Sequence, residues 1–500
     1  MISIPDLIKT NRHYFHKLVA SARGCKSPDK QAALCSQAAI FAVRNPCGIF
    51  NSWPLEETLL KLADGIASPM ASQPEAESFL HVLTRAYASG GHTRVAERWI
   101  NAAPASGRHD VVLLSQGDRP VPKTLEAATH GKHGKVMHLN AGLHLAKARQ
   151  LRSLASNYQH IILHVHMYDI LPLLAFGTPH FPRPITLYNH ADHLFWTGVS
   201  IADNVVNFRS LATYINTEFR HIPAERNQLL PLPVTQPPTP LLREHRQNLK
   251  AELGLPEDSQ VILTMASPYK YAAIEHIDFL ATAESILTHN PRAFLIAIGP
   301  SLKNPTWQAA SQRTGGRIKA LGRLPYTEVD RYLTLADLAL DSFPFASLTA
   351  MLDIARHKIP CLTLHTPVNS YDAFTRAGIV CATPQEVAQR ALQELANPSP
   401  STLFPIIEQE SLPQGFARHV ETQQKALQKT HKVYSFTTDN RSHPTEMELF
   451  IGLNHHANIS GLKAKVALGI QKSIHKLLRI LPLRLIPAPV YSRLESYGIL

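Results

Sequence analysis

The sequence predicts an α/β protein of two similar halves, each a parallel sheet covered by helices on both faces. Three observations carry that expectation. Short runs of Val, Ile and Leu, such as VVLL at 111–114, IILHV at 161–165 and VILTM at 261–265, alternate with longer stretches of helical periodicity. Strands buried on both faces read as continuous apolar runs, as parallel sheets require. A proline-rich stretch, Leu230 to Pro240, separates one such series from a second that restarts behind it. In the second series, Leu335 to Leu364 reads as a strand stopping at Asp341, a loop, a helix and a further strand. Doubly wound sheets hold their ligands at such strand ends.

Composition narrows the function. Five hundred residues exceed what one core holds and imply two or three domains. The apolar share, 44%, is that of a globular chain. A net charge of +12 suits an anionic ligand or an anionic membrane surface. The chain carries no zinc-finger spacing, aromatic RNA-binding signature or basic recognition helix, so no nucleic-acid partner is expected. Five cysteines, without CxxC spacing, argue for a reducing compartment and against structural zinc. Residues 1–20 have no apolar core like that of a signal peptide, and no apolar run is long enough to span a bilayer. A cytoplasmic location is expected.

Residues 1–77 read as helical, with Pro28 and Asp29 opening one helix, LEETLLKLADGIA forming another, and no chemistry; a small cap or partner surface is the default. Residues 78–234 form the first Rossmann-like unit. FLHVLTRAY is its first strand, a loop with Gly90 and Gly91 follows, and VAERWINAA is a helix. Strands at HDVVLLSQG, GKVMHLN, HIILHVHMYD, PITLYNHAD and DNVVNF continue the series, with one more near Gln228 to Leu232. The linker is 235–241 and the second unit 242–398, where VILTMAS, AFLIAIGP and RIKALGRL are strands and IEHIDFLATAESILTHN is one long helix. Residues 399–459 hold a helix and a loop-like stretch. In the tail, 460–500, apolar residues recur at Val466, Ile470, Ile474, Leu477 and Leu481 among lysines and arginines. A basic amphipathic helix over 460–485 is expected, resting on an anionic membrane surface or packed on the protein.

Candidate site residues gather where the predicted strands end. His92, Thr93 and Arg94 follow the two glycines, which let a ligand approach the backbone; the alternative is a tight turn. His164 and His166 close one strand; His190, Asp192 and His193 close the next. Metal binding lacks a matching spacing, hydrogen-bonding and acid–base work on a polar substrate fits better, and a capping or core role remains open for any one of them. In the second unit, Ser347 and Thr349 lie at a helix start, where main-chain N–H groups attract phosphate, with Asp353 one turn on; the plain alternative is an N-cap and a solvated helix residue.

Two Rossmann-like halves, a proline-rich link and polar residues at facing strand ends resemble the GT-B glycosyltransferases over roughly Ser78 to Leu395. LADLALDSFPFASLTAMLDIARHKIPCLTL is similar to the DTFPxNGxTTxxD loop and GxPVVTL strand of the O-GlcNAc-transferase-like and bacterial cytoplasmic N-glycosyltransferase-like branch. GGHTR, an HxH strand end and YNHADHxFW resemble bacterial glycosyltransferases. The resemblance implies a GT-B architecture, two sheets facing across a cleft, with a helical N-terminal region and a C-terminal helix returning to the first domain. It implies a nucleotide-diphosphate sugar as co-substrate, UDP-linked, and no separate cofactor or metal. Ser347 and Thr349 would meet the diphosphate, Asp353 the ribose, and Lys270 in MASPYKY the leaving group. Gly90, Gly91, Thr93, Arg94, His164, His166, His190 and His193 would line the acceptor side, for a glycan, lipid-linked or protein acceptor. The chain departs from the motif: Ala346-Ser347 replaces Asn-Gly, Ala350 the second threonine and Lys358 the late glycine. The glutamate pair of the retaining sucrose-synthase-like group is missing, since Phe345 stands at the partner position. An inverting reaction follows, with His92 as first candidate for the base and Asp192 as second. A nucleotide-sugar epimerase and a non-catalytic sugar-nucleotide binder are the alternatives on this fold.

Overall fold

The computed structural model describes residues 3–67, 73–88, 91–139, 142–236, 243–427, 431–438 and 445–459. Gly90, most of the proline-rich link and the tail expected to be an amphipathic helix (460–500) lie outside the described residues. No helix among the described residues is long and apolar enough to cross a membrane.

Seven parallel strands form the first sheet: β1 (Ser78–Leu83), β2 (Arg108–Leu113), β3 (Val136–His138), β4 (His160–His164), β5 (Ile185–Tyr188), β6 (Asn204–Asn207) and β7 (Asn227–Leu229). Their order is β3-β2-β1-β4-β5-β6-β7. Six parallel strands form the second: β8 (Gln260–Met265), β9 (Ala293–Ile298), β10 (Ile318–Gly322), β11 (Leu338–Leu340), β12 (Cys361–Leu364) and β13 (Val380–Cys381), in the order β10-β9-β8-β11-β12-β13. The two orders are the same doubly wound pattern. In each, the connection reverses between the first and fourth strands, and the crevice opens at that switch point. The loops after β1 and β4 therefore face it from one lobe, and those after β8 and β11 from the other.

The helices Ile4–Arg23, Pro28–Arg44 and Trp53–Asp64 belong to the first lobe and are not a separate cap. Phe15, Leu55 and Leu59 share one core with Leu80, Ile161 and Leu187. Glu56 fastens them by accepting the N–H groups of Gly198, Val199 and Ser200 and the Ser200 hydroxyl. The helix expected from Ile274 starts later, at Phe279. Asp278 accepts the N–H groups of Leu280 and Ala281, so its carboxylate sets the start, while Ile274 and Ile277 close a small turn before it.

A second core runs through both lobes. Val95 and Trp99 of the helix Gly91–Ala102 join Leu352 and Ile354 of the second lobe and Phe416 and Val420 of the helix Pro413–Lys425. That last helix packs on Gly91–Ala102. Beyond it, His431 meets Asp203 at 2.8 Å and the Tyr434 N–H donates to the Ser200 carbonyl, so residues 431–438 lie along the first lobe.

Candidate active site between the two lobes

The second lobe builds its half of the site from the loops after β8 and β11. The turn Pro268–Tyr271 presents Lys270, whose Nζ donates to the Ala346 carbonyl at 2.6 Å. Asp341, just past β11, is fully buried and accepts the N–H groups of Ser342 and Ser347, both at 2.8 Å, and the Thr363 hydroxyl at 3.2 Å. One carboxylate thus folds the loop 341–347 around itself. Burial pushes the Lys270 ammonium down to about 8, with Arg209 acting in the same direction and Asp341 against it. Burial likewise raises the Asp341 carboxyl, although the Ser347 hydrogen bonds and Lys270 oppose this. At neutral pH the lysine still carries its proton and stands as a poorly solvated cation, the environment that favours an anionic ligand.

Ser347 and Thr349 differ in what they do. The Ser347 hydroxyl accepts the Met351 N–H at 3.1 Å, satisfying one main-chain donor in the first turn of the helix Thr349–Ala355. Thr349 faces the first lobe: a Cβ on Gly91 would lie 3.3 Å from its hydroxyl. A side chain there would press on the Thr349 hydroxyl, so the two helix starts approach closely at Gly91. Between the two hydroxyl residues, Leu348 holds φ +52°, the left-handed region that most side chains avoid.

The first lobe faces this loop with imidazoles. His92 sits in the first turn of the helix Gly91–Ala102, not on the preceding loop. Its ring lies 4.3 Å from that of His190 and 5.5 Å from that of His166, measured between centroids. Neither ring nitrogen of His92 has a partner in hydrogen-bonding geometry, and both are buried. Burial pushes this imidazole down to about 4, with the His164 main chain opposing. His166 bonds the Tyr168 hydroxyl through Nδ1 at 2.8 Å. His193 lies 3.3 Å from Asp192 and packs near Phe345 of the other lobe. Thr93 turns inward, its hydroxyl accepting the Tyr87 N–H at 2.9 Å. His164 is fully buried one layer behind, bonded to His190 at 3.2 Å, and does not line the crevice.

Two expected roles change. Asp192 is fully buried and grips Arg209 with both oxygens, one at 2.6 Å. Burial opposes ionisation of its carboxyl, but the Arg209 guanidinium outweighs it and holds the group far below the usual carboxylate range. A carboxylate so stabilised is a poor base, so Asp192 serves as an anchor. Arg209 in turn donates to the Val368 and Ser370 carbonyls of the second lobe. Asp353 is buried as well, against Arg98 at 3.0 Å and Arg94 at 3.5 Å, both from the helix Gly91–Ala102. It joins the lobes in place of the ribose contact that its motif position implies. Replacing Asp353 by asparagine should therefore lower unfolding stability by ~2 kcal/mol, the scale of a hydrogen bond to a charged partner. It should change nucleotide affinity less than threefold; unchanged urea stability with tenfold weaker nucleotide binding would restore the ribose role.

The sequence did not single out Arg209, Arg98, His81 or His109, the last two belonging to the layer behind the crevice. Arg209 stands just past β6, at the same carboxyl edge as the other candidates, a position that could have flagged it. His81 lies inside an apolar strand run and His109 between Arg108 and Asp110 at a strand start, so neither stands at the edge that flags a site. No group of His, Cys, Asp and Glu among the described residues has the geometry to hold a metal ion.

No family model matches the chain, and no curated protein sequence matches it. Solved structures do. A glycosyltransferase from Rickettsia africae aligns over 70% of this chain and 99% of its own, at 11% identity and a TM-score of 0.55. Anabaena HepE, in complex with UDP and glucose, aligns over 70% of this chain and 100% of its own, at 14% identity and a TM-score of 0.51. A Thermobaculum terrenum O-GlcNAc transferase aligns at 17% identity over 84% of this chain and 83% of its own, but its TM-score of 0.47 is too low to bear on the branch. Two doubly wound parallel sheets of matching order, facing each other across a cleft, together with these neighbours, establish that the chain has the GT-B fold.

Proposed function

We propose that the protein is a glycosyltransferase that takes a sugar from a UDP-linked donor and passes it to an acceptor hydroxyl with inversion. One observation carries this reading: the Lys270 ammonium stands at the loop that opens the helix Thr349–Ala355, and Gly91, with His92 beside it, abuts Thr349 across the lobes. A cation at that point neutralises the charge that grows on a departing diphosphate. Anabaena HepE, which shares the fold, is seen with UDP and glucose. Lys270 and the Thr349 hydroxyl hold the diphosphate, while Ser347 and Asp341 shape the loop that presents them. His92, neutral and unpaired on both nitrogens, takes the acceptor proton, and His166, His190 and His193 orient the acceptor. A bound diphosphate raises the His92 pKa towards neutrality, where a base works best. With the charge supplied by Lys270, the reaction runs without a bound metal.

A thermal-shift series with UDP, other nucleoside diphosphates and UDP-sugars tests the donor. UDP should raise stability by ~2.7 kcal/mol at a hundredfold excess over its dissociation constant. No shift with any nucleotide at millimolar concentration would remove the reading. His92→Gln should leave that shift intact and lower kcat about a hundredfold, within the range of general-base catalysis.

A further inference from the structure

Behind the crevice, four imidazoles form a continuous hydrogen-bonded chain through the first lobe. His109 Nδ1 meets His81 Nε2 at 2.9 Å. His81 Nδ1 meets His164 Nε2 at 3.2 Å, and His164 Nδ1 meets His190 Nε2 at 3.2 Å. Every link joins an Nδ1 to the next ring's Nε2, so the chain has one polarity from end to end. If all four rings share a tautomer, each link has one donor and one acceptor.

The chain runs the length of the sheet. His109 belongs to the amino end of β2, His81 to the middle of β1, His164 to the carboxyl end of β4, and His190 lies two residues past β5. His190 is half-buried at the crevice beside His92. At the other end, His109 Nε2 is buried without a partner, next to Gly107, which directly follows the exposed residues Pro104–Ser106. Trp99 and Tyr188 wall the middle of the chain, with Trp99 edge-on to His81 and His164. Burial lowers the pKa of all four rings, so they rest neutral, as alternating donors and acceptors must. Lys132 near His109, and His92 and His166 near His190, add to the same effect.

Resting on the transferase reading, we propose that this chain carries the acceptor's proton out of the crevice to the opposite edge of the sheet. With all rings protonated on Nε2, a proton arriving at His190 Nδ1, directly from the acceptor or by way of His92, displaces the Nε2 proton of His190 onto His164. The same exchange passes through His81 to His109, which releases its Nε2 proton to water at the loop. Each ring ends neutral with its proton on Nδ1, one proton has crossed, and no cation is left in the core, where a charge costs most. The chain resets after transfer. A proton from water enters at His109 Nε2, the same exchange runs in reverse, and His190 Nδ1 gives its proton to the departing diphosphate, so no ring is left charged. His81 and His109 touch no substrate; they act through His190.

Glutamine at position 81 or 109 keeps a donor and an acceptor but cannot exchange them through tautomers. His81→Gln and His109→Gln should each lower kcat roughly tenfold or more, leave KM for the donor and the UDP thermal shift unchanged, and reduce a multi-proton solvent isotope effect to a single-proton one. Unchanged kcat and isotope effect in folded variants would overturn the proposal. A readout independent of turnover is 15N NMR of histidine-labelled protein at pH 7. The chain requires four neutral rings of one tautomer; a cationic ring or a mixed pattern also overturns it. A wild type that binds UDP but transfers no sugar would defeat the transferase reading while the NMR still decides whether the chain exists.

Discussion

Lys270→Met is expected to lower sugar transfer about a thousandfold while raising the stability of the ligand-free protein. The loss follows from removing the ammonium that hydrogen-bonds the Ala346 carbonyl, 2.6 Å away, in the loop after β11. Removing a single preorganised donor from such a site costs roughly 10²–10³ in rate, and a full charge opposite a leaving diphosphate is at the upper end. The gain in stability follows from burial, which holds the folded lysine near 8, below its value of 10.5 in the open chain. Between those values the unfolded state binds more protons, so the wild type becomes more stable as pH rises through this window. At pH 7 the charged side chain opposes folding, and methionine relieves that cost, on the order of 1–3 kcal/mol. UDP affinity should also fall as pH rises through 8, because the free site loses its cation. Urea denaturation and a UDP titration at pH 7 and 9 measure both effects. A less stable Lys270→Met protein that transfers sugar normally would take the lysine out of the site.

Acid is expected to destabilise this protein well above the pH at which carboxylates titrate. Burial lowers the pKa of His81, His164 and His190, and of His92, His160, His109 and His166, the last four to between about 3 and 4. An unfolded chain protonates each of these near 6.5, so below that pH the unfolded state binds protons the folded state refuses. Every such group withdraws up to about 1.4 kcal/mol of stability per pH unit. Buried Glu56, Asp169 and Asp341, whose pKa values are raised, bind protons more readily when folded and offset part of the loss. Burial lowers His16 and His144 as well, so nine imidazoles outweigh three carboxyls. Urea midpoints should therefore fall steeply from pH 6.5 to 5.0 and stay level from 7 to 7.5. A flat profile down to pH 5 would show that the imidazoles are hydrated, and would count against a dry proton path. His109→Gln should make the slope shallower.

The same histidines show where a sequence stops being informative. His164, His166, His190 and His193 stand at strand ends, the edge that meets the crevice in a doubly wound fold, although His164 is buried one layer behind it. His81 sits inside an apolar run, where a histidine reads as one more core residue, and His109 sits between Arg108 and Asp110 at the amino end of its strand, away from the ligand-binding edge. What makes them a chain is register across the sheet: β1 pairs with β2 and β4 so that one ring reaches the next. Register comes from pairing with segments 30 and 81 residues downstream, and a local pattern does not contain it. The motif positions behaved alike. The order of Asp341, Ser347, Thr349 and Asp353 was plain, yet Asp353 turned to Arg98 of the other lobe because the helix Gly91–Ala102 packs there.

By itself the sequence determined the two-sheet architecture, the edge of each sheet that faces the crevice, and the lysine and hydroxyls that gather at the loop after β11. Period, strand length and turn residues act over a few positions and are written in order along the chain. Only the tertiary structure decided which carboxylates are anchors, which histidines line the crevice and which stand in file behind it. Those outcomes depend on burial and on partners far away in sequence, where a charge or an imidazole is defined by the side chain packed against it.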